Sequence, residues 1–172
     1  MVVSYNEQRV GVFVDIQNMY YSARNLYDAR VNFDRILKTG INNRTLIRAI
    51  AYVIEAKELT EQKNFFNALR NIGFEVRSKQ LQTFIGGNKK GDWDIGIAMD
   101  MIRMAPKLDV AVLVSGDGDF TDLVEYLKAH GCRAEVIAFG KTGSSRLKNA
   151  ADKFTDLDED VGKYLIRTVS KK

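Results

Sequence analysis

The sequence predicts an α/β fold: a mostly parallel central sheet with helices on both faces, a three-layer α/β/α sandwich. Two observations predict it. Short β-branched runs such as RVGVFVD and DVAVLVS carry almost no polar alternation, the pattern of strands buried on both faces of a parallel sheet. Between such runs lie helical patterns bounded by capping residues and glycines, so that strands and helices alternate along the chain.

Taken in order, RVGVFVD (9–15) reads as the first strand, followed by a helical pattern to about Leu26. TLIRAIAYVI (45–54) reads as the second strand. TEQKNFFNALRNIG follows as a helix, with Thr60 before it and Gly73 ending it. FEVRSKQLQTFI is a strand that either runs long or breaks, and GGNKKGD is a loop. WDIGIAMDMIRMA is a helix stopped near Pro106, whose ring cannot continue it, and DVAVLVS is a buried strand. DFTDLVEYLKAHG is a helix closed at Gly131, RAEVIAF a strand and SSRLKNAAD a short helix with Ser144 as a fitting N-cap. KFTDLDEDVGKYLIRTV supplies a short strand and a terminal helix over about 158–169, with the acids of DLDED solvating its start.

A chain of 172 residues is long enough for one well-filled core and short for two, so residues 1–172 are expected to form a single domain. With 45% hydrophobic residues and one proline the composition is that of an ordered protein. The N-terminus lacks the pattern of a secretory signal and no window has the continuous apolar length of a membrane span, so a cytoplasmic location without membrane association is expected. One cysteine, Cys132, and one histidine, His130, cannot build a disulfide or a thiolate zinc cage; any metal must be held by oxygen. Cys132 reads as a small buried side chain and His130 as a cation at a helix C-terminus. The net charge of +4 leans towards a polyanionic partner.

The acids carry the chemistry. In a parallel sheet, ligands sit outside the carboxyl ends of the strands where strand order reverses. Asp15 ends the first strand, Asp94 opens a helix, and Asp117 and Asp119 follow the DVAVLVS strand in SGDGDF. Two carboxylates two residues apart repel, which is relieved when a cation lies between them. A set of aspartates without cysteine or histidine suits a hard ion, Mg²⁺ or Mn²⁺, able to orient water and stabilise an in-line phosphoryl displacement. Asp100 shares the helix of Asp94 but points elsewhere around it and is expected to partner a buried or basic group; Trp93 is expected to pack rather than stack on a base.

VFVDIQN, KKGDWDIGIAMDM, VLVSGDGDFTDLVEYLKAHGCRAEV and RLKNAADKFTDL resemble, in that order, the motifs of the NYN domain in its LabA-like bacterial branch, from Arg9 to Asp158. The resemblance implies a PIN-like fold with sheet order 3-2-1-4-5, a core over about 9–158, and metal-dependent cleavage of RNA, an endoribonuclease activity. It places the acidic positions of the family on Asp15, Asp94, Asp117 and Asp119, its polar companions on Asn18 and Ser115, and the Lys-Gly before the helical acid on Lys90 and Gly91. Gln17 departs from it, in a slot where glycine or glutamate is common.

Around these acids, Lys89 and Lys90 in a glycine-rich loop, and Lys141, Arg146 and Lys148 in KTGSSRLK, could meet the phosphates of an RNA strand. A dinucleotide-binding site is disfavoured because GDGDFT places Thr121 where the last glycine of the fingerprint belongs, so no nucleotide cofactor is expected. A phosphatase of the haloacid dehalogenase type needs a second aspartate where Gln17 stands. A protein that binds RNA without cutting it is the remaining alternative. The oligomeric state is left open, a homodimer included.

Overall fold

The computed structural model describes residues 5–55, 60–83, 85–86 and 89–167. The chain runs β1 (Arg9–Asp15), α1 (Ile16–Tyr27), β2 (Arg30–Val31), α2 (Phe33–Ile41), β3 (Thr45–Glu55), α3 (Thr60–Ile72), β4 (Glu75–Gln80), β5 (Gln82–Thr83), β6 (Lys89–Lys90) and α4 (Asp94–Met104). It continues through β7 (Val110–Val114), α5 (Thr121–Ala129), β8 (Arg133–Ala138), α6 (Ser145–Ala150), β9 (Lys153–Asp156), α7 (Val161–Tyr164) and β10 (Leu165–Ile166).

The central sheet has six strands in the order β4-β3-β1-β7-β8-β9, every pair parallel. Its first five strands in chain order follow 3-2-1-4-5, as the resemblance implies, and β9 adds an edge. The two-residue period of β1 divides its side chains between two cores. Val10, Val12 and Val14 pack with Met19 of α1, Ile36 of α2 and Leu69 of α3. Phe13 packs on the opposite face with Ile97 and Met101 of α4 and Leu127 of α5. Gly11 lies on that second face, where a Cβ would come 2.7 Å from Leu108 Cδ1.

Chain order reverses between β1 and β7: the strands that follow β1 add on one side, and those that follow β7 add on the other. The carboxyl ends of these two central strands therefore frame a crevice that no crossover helix covers. Among the described residues, no helix is long and apolar enough to cross a membrane.

Several elements differ from the sequence-based expectation. Helix α2 was not anticipated, although Asn32 caps it by accepting from the Arg35 amide at 3.2 Å and Phe33, Ile36, Leu37 and Gly40 bury one face at helical spacing. The expected terminal helix over 158–169 is instead a single turn, α7, followed by β10, which pairs antiparallel with β2. Tyr164 is buried, its carbonyl accepts from the Asn32 amide at 2.8 Å and its hydroxyl meets Thr39 Oγ1 at 3.0 Å, which stops the helix from continuing. FEVRSKQLQTFI breaks at Leu81, one of the two outcomes expected of it, and Thr60 is the first residue of α3 rather than the one before it.

DLDED does more than solvate a helix start. Asp156 accepts from the Gly140 amide at 2.8 Å, and Asp158 accepts from the Lys141 amide at 2.7 Å and from the Tyr27 hydroxyl, so these acids pin the loop between β8 and α6. Arg44, buried in the turn between α2 and β3, makes a bidentate pair with Glu135 of β8 at 3.0 and 2.9 Å and caps the carbonyls of Gly40 and Ile41.

Candidate metal and active site

The site is assembled at the crevice between β1 and β7. Asp15 ends β1 and caps α1, its Oδ1 accepting from the Asn18 amide at 3.2 Å. Its Oδ2 accepts from the buried Ser115 hydroxyl at 3.3 Å, and Ser115 Oγ accepts in turn from the Asp117 amide at 3.2 Å. Asn18 Oδ1 accepts from the Gly116 amide at 3.0 Å. Asp15, Asn18 and Ser115 thus tie the start of α1 to the loop after β7.

That loop makes one 3₁₀ turn, with Asp117 accepting from the Asp119 amide at 2.9 Å. Gly116 and Gly118 are needed because the loop before α6 presses on them: a Cβ at Gly118 would lie 2.7 Å from Ser144 Oγ, and one at Gly116 would lie 3.1 Å from Gly143 Cα. Asp94 arrives from the other side as the first residue of α4. The helix start is placed by Trp93, whose indole donates to the Val53 carbonyl at 2.8 Å and whose ring packs 5.2 Å from Tyr52. Gly96 is small for the same reason, since a Cβ there would meet the Trp93 ring at 2.5 Å.

The folded chain brings one carboxylate oxygen from each of Asp94, Asp117 and Asp119 within 4.8 Å of one another. A carboxylate-only set of this size matches the donors a hard divalent ion takes. Asp15 stands beside this trio rather than in it, 8% exposed, with its oxygens engaged by Asn18 and Ser115.

The electrostatics record the crowding. Burial, reinforced by the charges of Asp117, Asp15, Asp92 and Asp119, pushes the Asp94 carboxyl up to about 6. Burial also raises Asp15, with Asp117 and Asp92 adding to it and the hydrogen bonds from Asn18 and Ser115 opposing it. A carboxyl raised in the folded state weakens the fold as pH climbs past its ordinary value near 3.8, and fully so above about 6. Metal-free Asp94→Asn is therefore expected to melt higher than wild type at neutral pH. The gain is on the order of 1 kcal/mol after discounting for solvent screening, and it vanishes near about pH 4. Thermal melts in chelator at the two pH values check this; a variant that melts lower at neutral pH would overturn it.

Two clefts meet at the acids. One, of about 1270 Å³, is walled by Leu81, Ile95, Phe120 and Tyr126 and reaches Asp94 and Asp119. The other, of about 400 Å³, runs along α1 and reaches Asp15, Asp94 and Asp117. Asp92 lines both. Sequence reasoning missed this acid, although D-W-D repeats the spacing of Asp117 and Asp119. Lys79 was missed too; it lines the larger cleft with Nζ 4.1 Å from the Trp93 ring.

The cations expected to meet phosphates divide. Arg146 is exposed on α6. Lys148 does not fit that expectation: its ammonium donates to the Gly140 carbonyl and lies 5.4 Å from the Phe154 ring, so it braces the loop. The backbone of Lys89 and Lys90 forms β6, paired antiparallel with β5, and their side chains lie outside what the structure describes. Asp100 is buried and takes hydrogen bonds from Tyr52 at 2.8 Å and from Arg77, the structural role expected of it. His130 stacks on Tyr126 at the end of α5, and Cys132 is buried, which pushes its thiol up to about 11.

The model of the NYN domain matches residues 9–158. The chain belongs to the NYN domain family. The low amplitude and bright protein LabA of Synechococcus elongatus is 30% identical over 96% of this chain and 92% of LabA, which places this NYN protein with the LabA-like branch. The crystal structure of a Vibrio parahaemolyticus protein of unknown function superposes with a TM-score of 0.85 at 32% identity, covering 96% of this chain and 100% of that one. The three-layer, PIN-like architecture of this NYN chain is thus shared with a solved relative.

Proposed function

We propose that this NYN protein is a metal-dependent ribonuclease that hydrolyses RNA phosphodiester bonds, as an endonuclease. The observation that carries the reading is the convergence of Asp94, Asp117 and Asp119 at the mouth of two open clefts, in a chain of a family with a nuclease-type fold. These three would hold Mg²⁺ or Mn²⁺. When bound, the ion supplies charge neutralisation at the phosphate and an acidified water as nucleophile.

The chain's own groups do the rest. Asp15, beside the trio with its oxygens held by Asn18 and Ser115, would serve as the proton acceptor for the attacking water. Ser115 and Asn18 hold Asp15 and the β7 loop in register, which fixes where the loop carrying Asp117 and Asp119 sits relative to α1. Asp92, on the rim of both clefts, adds negative charge that favours a cation in the gap.

The deciding experiment is incubation of purified protein with mixed RNA in Mg²⁺ or Mn²⁺, beside a chelator control. Cleavage that stops in chelator supports the reading. Cleavage that persists after metal is stripped overturns the mechanism, and RNA that is bound without being cut replaces it with a binding role.

The basic residues give a second test. Neutralising Lys89 and Lys90 together is expected to weaken RNA binding across sequences and to flatten the slope of log affinity against log salt by about 0.7 per lost contact with a single strand. Arg146→Ala adds a comparable decrement, whereas the loop-bracing Lys148 is expected to affect stability more than the salt slope. Binding isotherms at several salt concentrations measure this, and an unchanged slope removes Lys89 and Lys90 from the interface.

A further inference from the structure

The smaller cleft is chemically unlike the larger one. Its α1 wall presents Gln17, Tyr21 and Asn25 at intervals of four residues, one face of the helix, with Asn18 and Ser22 beside them and Thr142 opposite. Asn18 is committed to Gly116, and Ser22 accepts from Thr142 at 3.3 Å. Among the described residues, the amides of Gln17 and Asn25 make no side-chain hydrogen bond within the protein. Each offers a donor and an acceptor to whatever enters.

Between them stands Tyr21, 52% exposed. Its ring is buttressed edge-on by Tyr20 at 5.4 Å, and Tyr20 is itself held by Arg24 through a hydrogen bond of 3.0 Å. A braced aromatic ring flanked by two unengaged amides is the chemistry that receives an unpaired nucleobase: the ring stacks on its face and the amides read its edge. The volume of about 400 Å³ is at the lower end of small-ligand sites, suited to one nucleotide. The floor of the cleft is Asp15, Asp94 and Asp117, so a base held there sets its own backbone beside the acids.

We propose that the α1 cleft is a nucleobase subsite, with Tyr21 as its stacking platform and Gln17 and Asn25 as its reading groups. It fixes the nucleotide next to the scissile phosphate. The inference rests on the ribonuclease reading and extends it in one respect: the nucleotide in this position has to be unstacked and unpaired, and its identity matters. Gln17, the residue that departs from the family pattern, is the residue placed to set that identity.

The test is a scan with short labelled oligouridylates in which each nucleotide in turn is replaced by A, C, G or an abasic unit, read by fluorescence anisotropy with Ca²⁺ in place of the catalytic ion. Wild type is expected to show one position where the abasic unit costs about tenfold in affinity and where the bases are not equivalent. Tyr21→Ala is expected to lose about tenfold on the intact strand and then to be indifferent to the abasic unit, the two losses failing to add because they remove one contact. Tyr21→Phe, which keeps the ring, is expected to bind as wild type. Gln17→Ala and Asn25→Ala are expected to flatten the base preference at that position alone.

A wild type that binds RNA but has no abasic-sensitive position overturns the subsite and leaves the ribonuclease reading standing. Additive losses from Tyr21→Ala and the abasic unit overturn it as well. A wild type that neither binds nor cuts any oligonucleotide overturns both readings together.

Discussion

Asp117→Asn is expected to lower metal-dependent RNA cleavage by at least about 100-fold while leaving the fold intact. Asparagine keeps the oxygen that accepts from the Asp119 amide, so the 3₁₀ turn survives; what is lost is one of three charges converging within 4.8 Å. The same change is expected to remove the response to metal in the absence of substrate. An ion at 100 times its dissociation constant stabilises the wild-type fold by about 2.7 kcal/mol, because it binds only the folded state. The variant, holding the ion much more weakly, should gain a small fraction of that. Melting curves of both proteins with and without Mn²⁺, beside one cleavage assay, decide the matter. If the variant cuts at the wild-type rate, or its melting temperature rises as much with Mn²⁺, Asp117 is only a turn residue and the acids do not share an ion.

Arg44→Ala is expected to be the most damaging single change to stability, about 3 to 5 kcal/mol, a large part of the 5–15 kcal/mol that keeps a domain folded. Side-chain exposure is 1% for Arg44 and 7% for Glu135, so truncation leaves a carboxylate in the sheet without its bidentate partner and strips the Gly40 and Ile41 carbonyls of a donor. Arg133, which also reaches Glu135 at 2.9 Å, holds the loss towards the lower end of that range. Burial by itself would raise the Glu135 carboxyl, but the hydrogen bonds from Arg44 and Arg133 outweigh it and hold the group below its ordinary value. The contribution of the pair is therefore present above the ordinary glutamate value near 4.5 and is lost as pH falls through the lowered folded value. Urea midpoints measure the loss. A decrement under about 1 kcal/mol would mean that the pair is no more than a surface-grade contact.

These two predictions differ in how far the sequence alone could have led to them. Asp117 and Asp119 are legible because their chemistry is local: two acids between glycines after a buried strand have few structural uses, and the strand places them at the crevice. Asp15 and Asp94 are legible for the same reason, each standing at a strand end or helix start that periodicity marks. Arg44 and Glu135 lie 91 residues apart in elements that look like an ordinary turn and an ordinary strand, and nothing local pairs them.

The sequence by itself determined the parallel sheet, the alternation of its helices, the aspartates Asp15, Asp117 and Asp119 after its strands and Asp94 at a helix start, because buried β-branched runs, caps and glycines act within a few residues of themselves. Only the tertiary structure decided which groups share a site. It set Asp94, Asp117 and Asp119 together with Asp15 to one side, brought Asp92 and Lys79 to the cleft walls, and turned Lys148 into its own loop. It also stopped the last helix after one turn, because burying Tyr164 and pairing β10 with a strand some 135 residues earlier in the chain outweighs local helix preference. Distances between groups far apart in sequence are set by the packing of the two cores, and packing is a property of the whole chain.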